Sequence, residues 1–151
     1  MSASTMTEIS AETMATAQAI AKRAQTAARP LASVRSAQKN AVLGHLVSLL
    51  GDAERVQKIL AANQLDLAAG AEAGLSAALL DRLRLDEGRL RALGKAVSEI
   101  LALPDPVGEV VESWPRPRGF LVEKVRIPLG VLLLIYESRP NVTIDAASLC
   151  L

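Results

Sequence analysis

The sequence predicts a mixed α/β fold, helical in its first two thirds and β-containing after that. Three observations predict it. Ala- and Leu-rich segments with apolar residues at helical spacing run from Ala11 to Leu101. Two stretches of mixed patterning then flank the turn-rich run Trp114-Pro115-Arg116-Pro117-Arg118-Gly119. Last comes a non-alternating apolar run, Val131 to Tyr136, followed by a polar turn and a second helical pattern.

The elements follow in chain order. Residues 1–10 are small and polar and read as a disordered leader. The first helix spans Ala11 to Ala28, with Met14, Ala17, Ala21 and Ala24 at helical spacing and Pro30 as its stop. A second starts at Ser33 or Ser36, either of which can cap it, and buries Val42, Leu43, Leu46, Val47 and Leu50. Gly51 ends it. Asp52 caps a third helix, carrying Val56, Ile59, Leu60 and Leu67 and running out near Gly70 or Gly74. Ser76 caps a short helix through Leu79, Leu80 and Leu83. Asp86 caps the next, with Leu90, Leu93, Val97, Ile100 and Leu101 on its apolar face and Pro104 and Pro106 ending it.

Residues 108–112 and 120–127 read as the two strands of an exposed or half-exposed hairpin, with the Trp-Pro-Arg-Pro-Arg-Gly run as its tip. Val131 to Tyr136 is apolar on both alternating faces. Such a strand belongs in the middle of a parallel sheet covered by helices on both sides. The competing reading is a buried helix segment inside a self-contained helical domain. Gly130 and the β-branched residues of the run favour the strand. Residues 142–151 form the following helix, which Asn141 or Thr143 can cap.

Composition narrows the function classes. Of 151 residues half are hydrophobic, which argues against disorder, and the only aromatic residues are Trp114, Phe120 and Tyr136, so the core is aliphatic. With 17 basic and 16 acidic residues the net charge is +1, and no basic stripe suits nucleic acid. A lone cysteine allows no intrachain disulfide. The longest apolar run is far short of the roughly 20 residues a membrane helix needs. The expectation is a cytoplasmic protein without nucleic-acid or membrane partners.

A buried parallel strand needs neighbours on both edges, each with its own crossover. Nothing upstream reads as a second central strand, and the last helix carries no stop signal. The chain is therefore expected to be the N-terminal part of a longer α/β protein.

Three groups of residues resemble the γ-glutamyl phosphate reductase family, in that family's order and spacing. They are Gly74-Leu75-Ser76 with Leu79-Leu80-Asp81-Arg82-Leu83-Arg84-Leu85, then Asp105-Pro106-Val107-Gly108-Glu109-Val110, and then Arg126-Ile127-Pro128-Leu129-Gly130-Val131 leading through Ile135-Tyr136-Glu137-Ser138-Arg139-Pro140-Asn141-Val142-Thr143 to Leu151. Asn63 and Asp66 also match. The resemblance covers the chain from about Met14 onward. Leu133 departs from it, standing where relatives commonly have a small residue.

The resemblance implies an aldehyde dehydrogenase-type fold: N-terminal helices, a β-hairpin arm and the first strand–loop–helix of a parallel sheet. Residues 11–151 would be the N-terminal part of the cofactor-binding domain, with 107–127 as an oligomerisation arm and the catalytic domain absent. The implied reaction is NADP(H)-dependent reduction of γ-glutamyl phosphate to glutamate-5-semialdehyde in proline biosynthesis, through attack by a cysteine thiolate expected downstream of Leu151. A homo-oligomer and a glutamate 5-kinase partner are implied with it. A fused kinase–reductase is the neighbouring possibility, and a helical interaction module without chemistry is the alternative from another class.

Site candidates lie in the turn from Glu137 to Asn141, at the C-terminal end of the apolar run, where ligands bind in open α/β sheets. The resemblance puts an oxyanion-holding Asn in this loop. Asn141 is the loop's only Asn, but a gap-free alignment puts Arg139 closer to that position. Arg139 can also clamp a phosphate or carboxylate bidentately. The plainer readings are that Asn141 caps the helix and Arg139 pairs with Glu137. Ser138 either meets substrate or turns the chain. Asp145 suits the first helical turn. Cys150, between Leu149 and Leu151, is expected to pack rather than react. His45 has no companion ligand at metal spacing, so no metal site is expected, and no Gly-x-Gly-x-x-Gly or Walker-type loop is present.

Overall fold

The computed structural model describes residues 10–151, which divide into two compact units. The leader expected over residues 1–10 lies outside the described residues, apart from Ser10.

One unit comprises the described residues up to Val34 together with Val110–Leu132. Its helix α1 spans Ala11–Leu31, with Ser10 as N-cap accepting from the Thr13 N–H at 3.1 Å. Pro30 sits inside the last turn rather than stopping the helix. A proline there lacks one N–H, but the chain closes regardless, because the Ala32 N–H donates to the Ala28 carbonyl.

The same unit holds an antiparallel hairpin, β1 (Val110–Pro115) and β2 (Leu121–Val125). Trp114 and Pro115, expected in the tip, belong instead to β1, opposite Val122 and Leu121. Pro115 is tolerated because an edge position asks for no ladder donor. The reversal is made by Arg116 to Phe120, closed by the Arg116 N–H donating to the Phe120 carbonyl at 2.7 Å, with Arg118 and Gly119 both at positive φ. Every residue of both strands is exposed.

The second unit comprises Arg35–Glu109 and Leu133–Leu151 and contains the core. Helix α2 (Ser36–Gly51) starts after Arg35, so neither Ser33 nor Ser36 is its cap. Ser36 lies in the first turn, and its hydroxyl donates to Asp105 at 2.9 Å. Val42, expected on the buried stripe, is exposed, whereas Leu43 and Leu50 are buried. One residue's displacement turns a helical side chain by roughly 100°, enough to move Val42 off the stripe.

Asp52 caps α3 (Ala53–Glu72), accepting from the Arg55 N–H at 2.9 Å. The end of α3 is a Schellman closure: the Leu75 N–H donates to the Gly70 carbonyl and the Gly74 N–H to that of Ala71, with Gly74 at φ +78°. Ser76 caps α4 (Ala77–Leu83) and Asp86 caps α5 (Glu87–Leu101), both as the sequence predicts.

Leu43, Leu50, Leu90, Leu93 and Val97 form the core between α2 and α5. Val56 and Leu60 of α3 close it from one side, and Ile144 of α6 (Pro140–Leu149) packs against it too. Asn63 of α3 is a buried polar residue with both ends of its amide used. It donates to the Leu83 carbonyl at 2.9 Å and accepts from the Leu85 N–H at 2.7 Å. It thereby pins the turn between α4 and α5.

The strand expected over 131–136 does not form. These residues take no regular secondary structure, and all six are exposed, Leu133 and Ile135 at 85% and 86%. A strand exists only through ladder hydrogen bonds to a neighbour, and the described strands pair only with each other. The buried-helix alternative fails as well, since the run is neither helical nor buried.

Candidate functional site

The turn from Glu137 to Asn141 leads directly into α6. Its backbone is tightly specified: Ser138 has φ +51°, uncommon for a residue with a side chain, and Arg139 is the N-cap of α6 at φ −139° and ψ 78°. Pro140 occupies the first helical position, where its fixed φ is preorganised and its missing N–H is not needed. Asn141 is therefore inside the helix rather than capping it. Its side-chain amide donates to Asp145 Oδ2 at 3.0 Å, one turn on. Thr143 is not a cap either; its hydroxyl meets Tyr136 Oη at 2.6 Å. Arg139 forms no ion pair with Glu137 among the described residues, so its guanidinium is uncommitted.

Arg139, Asn141 and Asp145 line a cleft of about 450 Å³ together with Arg82, Arg84 and Arg89. Asp81 adds one more carboxylate, so four arginines face two aspartates and the cleft is cationic. The start of α6 adds the partial positive charge of a helix N-terminus. Arg89 is structural: its guanidinium donates to the carbonyls of Asp81 and, at 2.7 Å, Arg84, and reaches Asp81 Oδ1 at 2.9 Å. Chemically, the arrangement suits a small anion held by planar guanidinium donors. Of the three residues that the sequence offers for substrate contact, Arg139 and Asn141 line the cleft and Ser138 does not.

Arg82 and Arg84 are visible in the sequence only as parts of a motif. Neither has chemical meaning until the α4–α5 turn and the α6 start are brought together by packing of α6 on α5, which no local pattern encodes.

The remaining candidates separate cleanly. Cys150 is the C-cap of α6 and is exposed, so it is not the packing residue expected; a helix ending there turns its side chain outward. It is separated from Arg139 by the length of α6, roughly 15 Å. His45 is exposed on α2. No group of three or more potential metal ligands occurs among the described residues. No described helix is long and apolar enough to cross a membrane.

A second, larger hollow of about 640 Å³ lies between α2, α3 and α5, floored by Val47, Leu50 and Leu90. It has no comparable concentration of cationic groups.

Helices around an aliphatic core, an exposed hairpin and an apolar segment without strand partners define an incomplete mixed α/β domain carrying a cationic cleft. No family model matches the chain. The chain is 50% identical over 132 residues to a gamma-glutamyl phosphate reductase of Desulforapulum autotrophicum, covering 87% of this chain and 31% of that protein. It is likewise 50% identical over 140 residues to one from Mesorhizobium japonicum, covering 93% and 32%. Among solved structures it resembles the gamma-glutamyl phosphate reductase of Thermotoga maritima, with a TM-score of 0.80, 38% identity and 85% of this chain covered against 31% of the other. The Saccharomyces cerevisiae enzyme of that name gives a TM-score of 0.81 at 33% identity, with 87% and 33% covered. The chain is homologous to gamma-glutamyl phosphate reductases and matches the N-terminal region of their solved structures. It spans about a third of the length of the curated relatives it matches.

Proposed function

We propose that this chain forms the N-terminal part of an enzyme that reduces γ-glutamyl phosphate to glutamate-5-semialdehyde, with release of phosphate, in proline biosynthesis. The observation that carries the reading is the uncommitted Arg139 in an arginine-lined cleft at the start of α6, within a sequence half identical to reductases of that name. An acyl phosphate is a small polyanion, and a planar guanidinium matches two of its oxygens at once. Arg139 holds the anion, and Asn141, locked to Asp145, keeps its amide beside it. Asn141 is thereby positioned before ligand arrives, which lowers the ordering cost of binding.

The reductant belonging to this reaction is NADP(H), which supplies hydride. The described residues do not fit it: positive-φ glycines occur at 74, 108, 119 and 130, and none lies in a Gly-rich turn between a strand and a helix. The role assigned to this chain is therefore confined to the acyl phosphate and its product. Cys150, exposed at the far end of α6, is not assigned the nucleophile's role. Residues 107–127 are assigned to subunit assembly, because their hairpin presents Val110, Trp114, Phe120 and Leu121 outward. The setting is the cytoplasm, with glutamate 5-kinase as the source of the labile substrate.

A graft tests the assignment. Residues 14–151 replace the matching third of the Thermotoga maritima reductase, and the chimera is assayed with glutamate-5-semialdehyde, phosphate and NADP⁺. Turnover is expected from the chimera and none from the 151-residue chain alone. A folded, soluble chimera without turnover contradicts the assignment, as does turnover by the isolated chain.

A further inference from the structure

The cleft draws its positive charge from two separate places in the chain. Arg139 comes from the start of α6, whereas Arg82 and Arg84 come from the last turn of α4 and the residue that closes it. Among the described residues neither the Arg82 nor the Arg84 guanidinium makes a hydrogen bond or ion pair. Nearby acids make no ion pair with them among the described residues. Asp81 is engaged by Arg89, and Asp145 by Asn141.

The backbone that presents Arg84 is nevertheless held on three counts. Asn63 grips the Leu83 carbonyl on one side and the Leu85 N–H on the other, and Arg89 donates to the Arg84 carbonyl itself. A buried amide and a guanidinium thus fix a turn whose own cationic side chains are left without partners. Unpaired charge on a rigid turn, facing a cleft, is what a preorganised ligand site requires. An ordinary solvated arginine needs no such support.

We propose that Arg82 and Arg84 form a second anion subsite, which takes the carboxylate end of the substrate while Arg139 takes its phosphate end. The cleft then selects small acids that carry an anion at each end and discriminates against those with only one. Asn63 acts as a positioning residue for this subsite. The proposal rests on the reading of the Arg139 cleft as the acyl-phosphate site.

Two phosphonates of matched length test it on the 151-residue chain by calorimetric titration. 5-Phosphonopentanoate carries an anion at each end, and pentylphosphonate lacks the carboxylate. The wild type is expected to bind the first about tenfold more tightly than the second, the scale of one added charge-assisted contact. The variant R82Q/R84Q is expected to lose that ratio, weakening 5-phosphonopentanoate about tenfold more than it weakens pentylphosphonate. R139Q is expected to weaken both ligands. A ratio near one in the wild type, or one that survives in R82Q/R84Q, overturns the second subsite alone. Absence of binding by either phosphonate, or undiminished binding by R139Q, overturns the acyl-phosphate reading and the subsite with it.

Discussion

Helix α5 and the segment from Val131 to Tyr136 differ in a way that hydrophobicity does not predict. The segment is the more hydrophobic of the two, with six consecutive apolar residues, yet all six are exposed. In α5 the apolar residues are diluted by charged ones, yet Leu90, Leu93 and Val97 are buried, Val97 completely. The difference lies in the backbone. A helix satisfies its own N–H and C=O groups and needs only one matching face to bury, which α2 supplies. An apolar strand must first find neighbours for its backbone, and burying it unpaired would strand those groups away from water. Hydrophobicity alone does not decide burial; the availability of a hydrogen-bonding partner does.

Leu90, which is 2% exposed, gives the largest contrast between the two regions. Leu90→Ala is expected to destabilise the chain by about 2–5 kcal/mol in urea unfolding, whereas Ile135→Ala is expected to change it by less than about 0.5 kcal/mol. Equal costs would mean that the segment is packed after all.

Next in size is the buried amide. Asn63→Ala leaves the Leu83 carbonyl and the Leu85 N–H without partners, and a loss of about 1–3 kcal/mol is expected. Faster amide exchange at Leu85 would locate the loss in the α4–α5 turn.

Smaller again is the contact that ties the end of α5 to the start of α2. The Val107 N–H, Lys39 and Ser36 all favour the charged form of Asp105 and hold its carboxyl below the ordinary value of 3.8. A depressed folded value contributes stability that is present above the unfolded value and lost as pH falls through the folded one. Asp105→Asn is therefore expected to cost about 1–2 kcal/mol at pH 7, with the gap to the wild type closing as the pH drops below about 4. A gap that is constant with pH would remove the carboxylate's charge from the explanation.

Much of the helical unit is legible in the sequence because its signals are local. Asp52, Ser76 and Asp86 cap the helices they precede, and α5 buries the face that its spacing marks. The hairpin is legible in outline but not at its tip, since Pro115 resembles a turn residue and only the pairing partner Leu121 reveals it as strand. The run from Val131 to Tyr136 reads as a strand and is not one, because strand formation is decided by residues that a local pattern cannot see. The site divides the same way. Arg139 stands out through its loop, although its helix begins at Pro140 and takes Asn141 inside. Arg82 and Arg84 do not stand out, because their meaning arises from packing between elements far apart in the chain.

The proposed function assigns to Arg139 the role of holding the substrate's anion. That role is tested most directly by kcat/KM of the grafted reductase carrying R139Q, with phosphate varied and the semialdehyde and NADP⁺ saturating. A loss of about 30- to 150-fold is expected, the equivalent of about 2–3 kcal/mol for a charge-assisted bidentate contact. A value within twofold of the unmutated graft would contradict it.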